Sequence, residues 1–257
     1  MTDMKRESSL LRVRRVAGVW MLLALAIAAA QAAGPAENRA FAAALKSFAG
    51  SWWERAENEF AQFTVEFPEA ERRPEAILRQ AQARYWQTNS VGAGQLLSEN
   101  ISQAGKLADE YQFWIGEAHL QASNYQAAAE AYARLVSDFT NSARLPEAAY
   151  SEALARSKLD QWPRVVEVLS RPDGVLQRAA QANPANEFVV RGLVLLGEAY
   201  FVKKNYRAVE ETLQPLAQQK LCAELGWRRQ YLVCRAQLAD GRPQEAQQGA
   251  TNFAPLR

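Results

Sequence analysis

The sequence predicts an all-α protein built as a solenoid of about six helical hairpins. Three observations lead there: small residues recur at a spacing of 35 to 44 positions, large apolar residues flank them at helical spacing, and turn residues separate the segments. No segment alternates between apolar and polar residues, so we predict no strands. The composition, with 49% hydrophobic and 23% charged residues in 257, is that of a folded chain.

The repeat is defined by two small or β-branched residues twelve positions apart, one on each helix of a hairpin. The first-helix anchors are Ala44, Ala81, Gly116, Ala153, Gly197 and Cys234. The second-helix anchors are Ala56, Ala93, Ala128, Val165, Val209 and Ala246. Large residues mostly lie three before each first-helix anchor and four after both, which makes one apolar stripe per helix. Small residues on both stripes allow the two helices to pack about 8–10 Å apart.

Turn residues support this division. Between the helices of a hairpin lie sequences such as Gly50-Ser51, Ser123-Asn124 and Asp240-Gly241; between hairpins we expect turns at Phe67-Pro68, Arg171 to Gly174 and Leu225-Gly226. A single hairpin cannot bury its own apolar stripe, so the six are expected to stack. The longest step, 44 residues, marks an insertion over 171–189, with a short extra helix over 174–182 or only a surface loop.

Several stretches resemble the tetratricopeptide repeat (TPR). Residues 196–213 have the Leu-Gly pair, two tyrosines and the small and large residues of that repeat in order, and residues 124–142 and 53–68 are similar. The resemblance covers nearly all of residues 38–254 and implies a right-handed superhelix that binds a protein or peptide along the first helices. Some endings resemble bacterial envelope proteins, namely outer-membrane assembly lipoproteins and periplasmic cell-division coordinators. The repeats are longer than the family's usual length, and Ser157 replaces a large residue.

Residues 1–33 read as a secretory signal peptide, and residues 34–257 as the TPR-like repeat domain. Basic residues precede a 15-residue uncharged run over 16–30, and Ala-rich sequence with an A-x-A pattern follows. An uncleaved membrane anchor is the alternative, and either one implies export to the periplasm or cell envelope. No cysteine near the cleavage site is present for lipid attachment.

The charge balance does not favour a nucleic-acid partner. The leader contains five basic and two acidic residues, so the rest of the chain has 25 basic and 26 acidic residues. The basic charge therefore belongs to the leader.

Little in the composition suits catalysis, a metal or a cofactor. His119 is the single histidine and has no partner at the spacing of a ligand pair, so we expect it in packing or at the surface. Gly92-Ala93-Gly94 lacks the third glycine and the preceding strand of a dinucleotide fingerprint. We expect no catalytic residues, no metal, no cofactor and no enzymatic activity.

Cys222 and Cys234 are the two cysteines, and they flank the turn expected at Leu225-Gly226. An antiparallel pair of segments would let them face each other as a disulfide in an oxidising compartment, or as two buried thiols.

Seven tryptophans are the one unusual enrichment. Trp53 and Trp162 share the aromatic phase of the repeat and are expected in the core. Trp52, Trp86 and Trp114 lie beside that phase, so they belong either to the core or to a partner-binding surface.

The residue after each first-helix anchor is expected to face the partner-binding groove: Leu45, Gln82, Glu117, Leu154, Glu198 and Arg235. The predicted function is a non-enzymatic, exported scaffold for protein–protein interactions in the bacterial cell envelope. The alternative is an adaptor portion or fragment of a larger repeat-containing enzyme, secretion or outer-membrane assembly complex. The last hairpin ends without a polar capping helix, which leaves self-capping, a longer protein and end-to-end dimerisation open.

Overall fold

The structure, a computed structural model, describes residues 34–252, and the predicted leader lies outside them. The described residues are helical with short connections, and none of them is in a strand. Within them, no helix has the combination of length and apolar character needed to cross a membrane. Two compact units divide at Gln87 and Thr88, and each is described by itself.

Unit 1 comprises three helices: α1 over residues 34–49, α2 over Trp53–Glu66 and α3 over Arg73–Trp86. Its core joins Phe41 and Ala44 of α1 to Phe60 and Phe63 of α2, with Ala76 from α3. The rings of Phe41 and Phe63 meet edge to face at 5.2 Å, an arrangement that small neighbours such as Ala44 and Ala56 allow.

Unit 2 comprises ten further helices in chain order. These are α4 (Ser90–Asn100), α5 (Ala108–Gln121), α6 (Tyr125–Asp138), α7 (Leu145–Ser157), α8 (Trp162–Ser170), α9 (Val175–Ala182), α10 (Glu187–Val202), α11 (Tyr206–Leu213), α12 (Ala223–Ala239) and α13 (Pro243–Asn252). Short 3₁₀ segments follow α4 and α11. The pairs α5–α6, α7–α8, α10–α11 and α12–α13 are hairpins, and α10 also packs against α7 and α12.

The same backbone turn closes each first helix. The residue seven positions after every first-helix anchor has a left-handed backbone, with φ between 55° and 77°: Ser51, Thr88, Ser123, Asp160, Lys204 and Gly241. In five of the six turns, the next amide donates to the carbonyl five residues earlier at 2.9–3.0 Å, as Asn205 does to Tyr200. This is the Schellman ending, which satisfies carbonyls at the end of a helix.

The small residues lie at the helix contacts. The first five hairpins contain ten of the twelve anchors. All ten are alanine, valine or glycine, and all ten are buried. A Cβ on Gly116 would come within 2.6 Å of the Tyr132 ring, so this position has no room for even a methyl group.

The sixth hairpin is less buried than the others. Cys234 is only partly buried, and Tyr231, which occupies the position of Phe41, Leu78, Phe113 and Val194, is 47% exposed. Trp227 and Tyr231 stack at 4.9 Å and, with Leu238, leave an open apolar stripe on α12. Val194, which occupies the same position in the preceding hairpin, packs in one cluster with Leu225 and Leu232 of the next hairpin. Within the described residues, no further hairpin follows to pack on Tyr231 in this way.

The prediction of a turn at Leu225-Gly226 is wrong. Residues 223–239 form one continuous helix, and both residues lie in its first turns. The turn lies earlier, over residues 219–222, where the 3₁₀ segment after α11 ends and the backbone becomes extended.

The insertion forms a short helix, the first of the two alternatives that the sequence left open. It covers Val175–Ala182 and packs against α7, α8 and α10, so the segment is part of the core of unit 2.

Candidate protein-binding surface

The predicted groove residues fall in both units. Leu45 and Gln82 belong to unit 1, and the other four belong to unit 2. Leu45 is half-buried against the core of unit 1. Gln82 departs from the expectation because it is 5% exposed and its amide oxygen accepts from Arg79 at 3.0 Å.

Leu154, Glu198 and Arg235 occupy equivalent positions on three neighbouring helices of unit 2. These helices are α7, α10 and α12, and α10 packs against the other two. Leu154 is half-buried against the core, Glu198 is half-buried and Arg235 is exposed. We name this surface, with Arg228 and Tyr231, the α7–α10–α12 face.

Charged and aromatic contacts join α10 to α12 on this face. Glu198 Oε1 accepts from Arg228 Nε at 2.7 Å, and this ion pair raises the pKa of the Arg228 guanidinium. The guanidinium of Arg235 lies 4.4 Å from the ring centre of Phe201 and 5.4 Å from that of Tyr231. The result is a surface with both charges and an exposed aromatic ring.

Glu117 has a structural contact that its sequence position does not reveal. Tyr132, which is fully buried on α6, donates its hydroxyl hydrogen to the Glu117 carboxylate at 2.5 Å. Burial is the main cause that raises the pKa of Glu117, with a further contribution from the nearby Glu147 carboxylate. Glu117 therefore helps to hold α5 against α6.

The five tryptophans considered above fall into two groups, those packed against a core and those exposed at the surface. Trp53 and Trp162 pack at the edges of the unit 1 and unit 2 cores, and Trp114 packs against the Phe113 cluster. Trp52 and Trp86 are 52% and 50% exposed, so they add aromatic surface to unit 1. Trp86 stacks on Trp53 at 6.0 Å, and Arg55 lies 5.6 Å from the Trp52 ring centre.

The suggested Cys222–Cys234 disulfide is incompatible with the structure. Both thiols are free; Cys222 caps the start of α12, and Cys234 lies twelve residues along the same helix. That separation is about 18 Å at 1.5 Å per residue. A disulfide requires Cα atoms within about 7 Å. The error came from treating Gly226 as a turn residue.

His119 lies on α5 and is half-buried. Burial, together with the charge of Arg134, lowers its pKa, so the neutral imidazole is favoured. Within residues 34–252 no cluster of three potential metal ligands is present.

Comparison with solved structures identifies the fold. The chain is similar to BtubC (BKLC) from P. vanneervenii, with a TM-score of 0.60 and 15% identity over 84% of this chain and 94% of that one. It is also similar to a putative kinesin light chain from Podosopora anserina with nearly identical TPR-like repeats, with a TM-score of 0.55 and 14% identity over 78% of this chain and 96% of that one. This confirms the prediction of an all-α, TPR-like fold.

No protein-family model matches the sequence, and the comparison with curated proteins gives no match. At identities this low, the structural likeness applies to the fold alone.

Proposed function

We propose that this protein is a non-enzymatic scaffold exported to the bacterial cell envelope, where its TPR-like hairpins bind a protein or peptide. The observation that carries the proposal is the repeated register: six left-handed turns, each seven residues after a first-helix anchor. Such a register places the same position of each hairpin on successive helices. Repeat folds of this kind use that arrangement to make extended binding surfaces.

The side chains of the α7–α10–α12 face indicate which kind of partner fits it. Glu198 and Arg228 supply paired charges, whereas Arg235 and Tyr231 supply an exposed cation and an exposed ring. Such a mixture suits an extended polypeptide with polar, acidic and apolar side chains better than a uniformly charged ligand.

Site-specific photocrosslinking in intact cells tests this proposal. A photoreactive phenylalanine replaces Arg235 on the proposed face or, as the matched control, Arg207 on α11. Both arginines are exposed, and Arg207 has only a local ion pair with Glu211. We expect one discrete crosslinked polypeptide from position 235 and none from position 207, with identification by mass spectrometry. Equal adducts at both positions, or none at either, would contradict the proposed face.

The export part of the proposal rests on residues 1–33. Cell fractionation and mass measurement of the full-length protein test it, with a variant that lacks residues 1–33 as the control. We expect the full-length product in the envelope fractions, either shortened by the leader or membrane-associated, and the variant in the cytoplasm. Full-length protein that stays soluble in the cytoplasm would exclude export.

The open stripe on α12 favours an adaptor role as the second candidate. Trp227 and Leu238 are each 57% exposed. In the preceding repeat, the equivalent positions on α10 are covered by the hairpin that follows. An adaptor is expected to bury this stripe against another protein of its assembly. Crosslinking from Leu238 but not from Arg235 would favour this role over the first proposal.

A further inference from the structure

A cavity of about 330 Å³ lies in unit 2 between α6, α7, α8 and the inserted helix α9. Its volume falls at the lower end of the range for small-ligand sites, about 300–1,000 Å³. The cavity is on the opposite side of α7 from the α7–α10–α12 face, because its residue Glu152 lies about 200° around the helix from Leu154. It is therefore a separate site from the proposed protein-binding surface.

The inserted helix that forms one wall is held firmly in place. Leu176 of α9 is fully buried, and it packs so closely on Gly192 of α10 that a Cβ there would lie 2.7 Å from the leucine. Gln177 also donates its amide hydrogen to the Leu169 carbonyl at 2.7 Å. The wall is thus a packed element, present only in the repeat that carries the insertion.

The cavity lining contains four arginines and three carboxylates, which is one more cation than anions. Three of these arginines each form an ion pair with a carboxylate of the lining: Arg156 with Glu152 at 2.7 Å, Arg164 with Glu167 at 2.5 Å, and Arg171 with Asp173 at 3.3 Å. Arg178, the fourth arginine of the lining, is exposed and has no ion pair within residues 34–252. A guanidinium in this state suits a carboxylate, which it can bind through two parallel hydrogen bonds.

The remaining lining is aliphatic. Small branched or short side chains face the cavity from four helices: Val136, Ala149, Val168 and Val175. At the inner end, the Glu152–Arg156 pair is already satisfied, and the Glu152 side chain is only 7% exposed. An occupant therefore needs one negative charge near Arg178 and a short apolar group.

We propose that this cavity binds a monocarboxylate with a short, branched aliphatic group, and that Arg178 is its charge partner. Two sources supply this chemistry: the C-terminus of a peptide that ends in an aliphatic residue, and a free branched short-chain acid. The valine and alanine side chains set the size of the apolar group, whereas Arg178 selects the carboxylate.

An NMR titration of the full folded chain tests the proposal with three probes: N-acetylvaline, its uncharged amide N-acetylvalinamide, and isovalerate. We expect N-acetylvaline to shift the amide resonances of Gly174 and Val175, and to bind about tenfold more tightly than its amide, the factor expected from one charge-assisted hydrogen bond. Tighter binding of N-acetylvaline than of isovalerate indicates a peptide terminus, and the reverse indicates a free acid.

Two variants locate the charge partner. Arg178→Gln is expected to weaken N-acetylvaline binding about tenfold, again the factor of one charge-assisted hydrogen bond. Arg207→Gln, a substitution of another exposed arginine, on α11, should leave N-acetylvaline binding unchanged. Equal binding of acid and amide, unchanged binding in Arg178→Gln, or no shifts at Gly174 and Val175 with any probe would overturn the proposal. Unfolding curves of both variants identify any loss of fold.

Discussion

The left-handed turn residues hold some of the least favourable backbone positions in the molecule. Five of the six are not glycine, and an L-residue in this conformation costs about 1–2 kcal/mol. Glycine avoids that cost but loses about 0.5–1 kcal/mol through the greater freedom of the unfolded chain. A net gain is therefore expected where the native side chain makes no contact.

Lys204 is the position for this test because it is exposed and has φ of 59°. We expect Lys204→Gly to raise the free energy of unfolding by about 0.5–1 kcal/mol, as measured by urea denaturation. The control is the preceding residue, because Lys203 has φ of −77° and gains nothing from glycine. A stabilisation of equal size in Lys203→Gly would show that the backbone turn is not the cause.

Glu117 gives stability a dependence on pH. Its pKa is raised, chiefly by burial, so folding favours the protonated carboxyl group. That contribution is complete below the ordinary glutamate pKa and is lost as the pH rises through the higher pKa of the folded state. Glu117→Gln cannot ionise, and its amide oxygen can still accept from Tyr132. We expect it to gain stability relative to the unmodified protein at pH 7 but not at pH 4, as measured by denaturant unfolding at both values.

Glu130 on α6 is the matched control, since its carboxylate is exposed and contacts only Gln126 among the hydrogen bonds of the described residues. Glu130→Gln should shift stability equally at both pH values. If Glu117→Gln behaves in the same way, burial of Glu117 does not control the pH dependence.

At the scale of elements, the inserted helix α9 is anchored in the core chiefly by Leu176, its one fully buried side chain. Leu176 is fully buried among Val165, Leu169 and Val189, and it lies against Gly192. We expect Leu176→Ala to lower the free energy of unfolding by about 2–5 kcal/mol, the range for a leucine removed from a packed core. Thermal and urea unfolding measure the change.

Arg178→Ala on the same helix serves as the control, because its side chain is exposed. A surface change of this kind should stay within about 0.5 kcal/mol. A loss below 1 kcal/mol in Leu176→Ala would mean that α9 is a surface attachment and not part of the core.

Most elements could be predicted from spacing, because small and large residues at 3.6-residue periodicity specify which helix faces pack. The sequence left a helix over 174–182 open as an alternative to a surface loop, because the insertion has no counterpart in the other repeats. The turn at Leu225-Gly226 was not, because Gly226 is tolerated near the start of a long helix whose other residues favour it. That local mistake also produced the disulfide prediction.

The surface was less accessible to sequence than the core. The position of a residue relative to an anchor indicates which way its side chain points, but not which side chain it contacts. The hydrogen bonds of Gln82 with Arg79 and of Glu117 with Tyr132 could therefore not be predicted. The positive φ at Lys204 also has no signature in residue type, whereas Gly241 and, more weakly, Asp160 have one. Arg178 lacks any motif, because the cavity that contains it arises from four helices packing together.

At the scale of the whole molecule, the contacts are local along the chain. In unit 2, the principal helix contacts join helices no more than three apart in chain order, and α10 with α7 is among the most distant. The stability of such an array is approximately a sum of hairpin terms and nearest-neighbour terms. A core substitution should therefore loosen its own hairpin and the adjoining ones more than distant ones.

Leu135 on α6 and Leu213 on α11 test this within unit 2, since both are fully buried leucines in separate core clusters. Either change to alanine should remove about 2–5 kcal/mol. By hydrogen exchange with mass spectrometry, we expect Leu213→Ala to accelerate exchange in α10–α13 more than in α5–α6, and Leu135→Ala to do the opposite. The two substitutions remove the same side chain, so a difference in where exchange accelerates reflects position alone. Uniform acceleration across unit 2 from both would mean that its hairpins unfold as one cooperative body, and that its stability is not a sum of neighbouring terms.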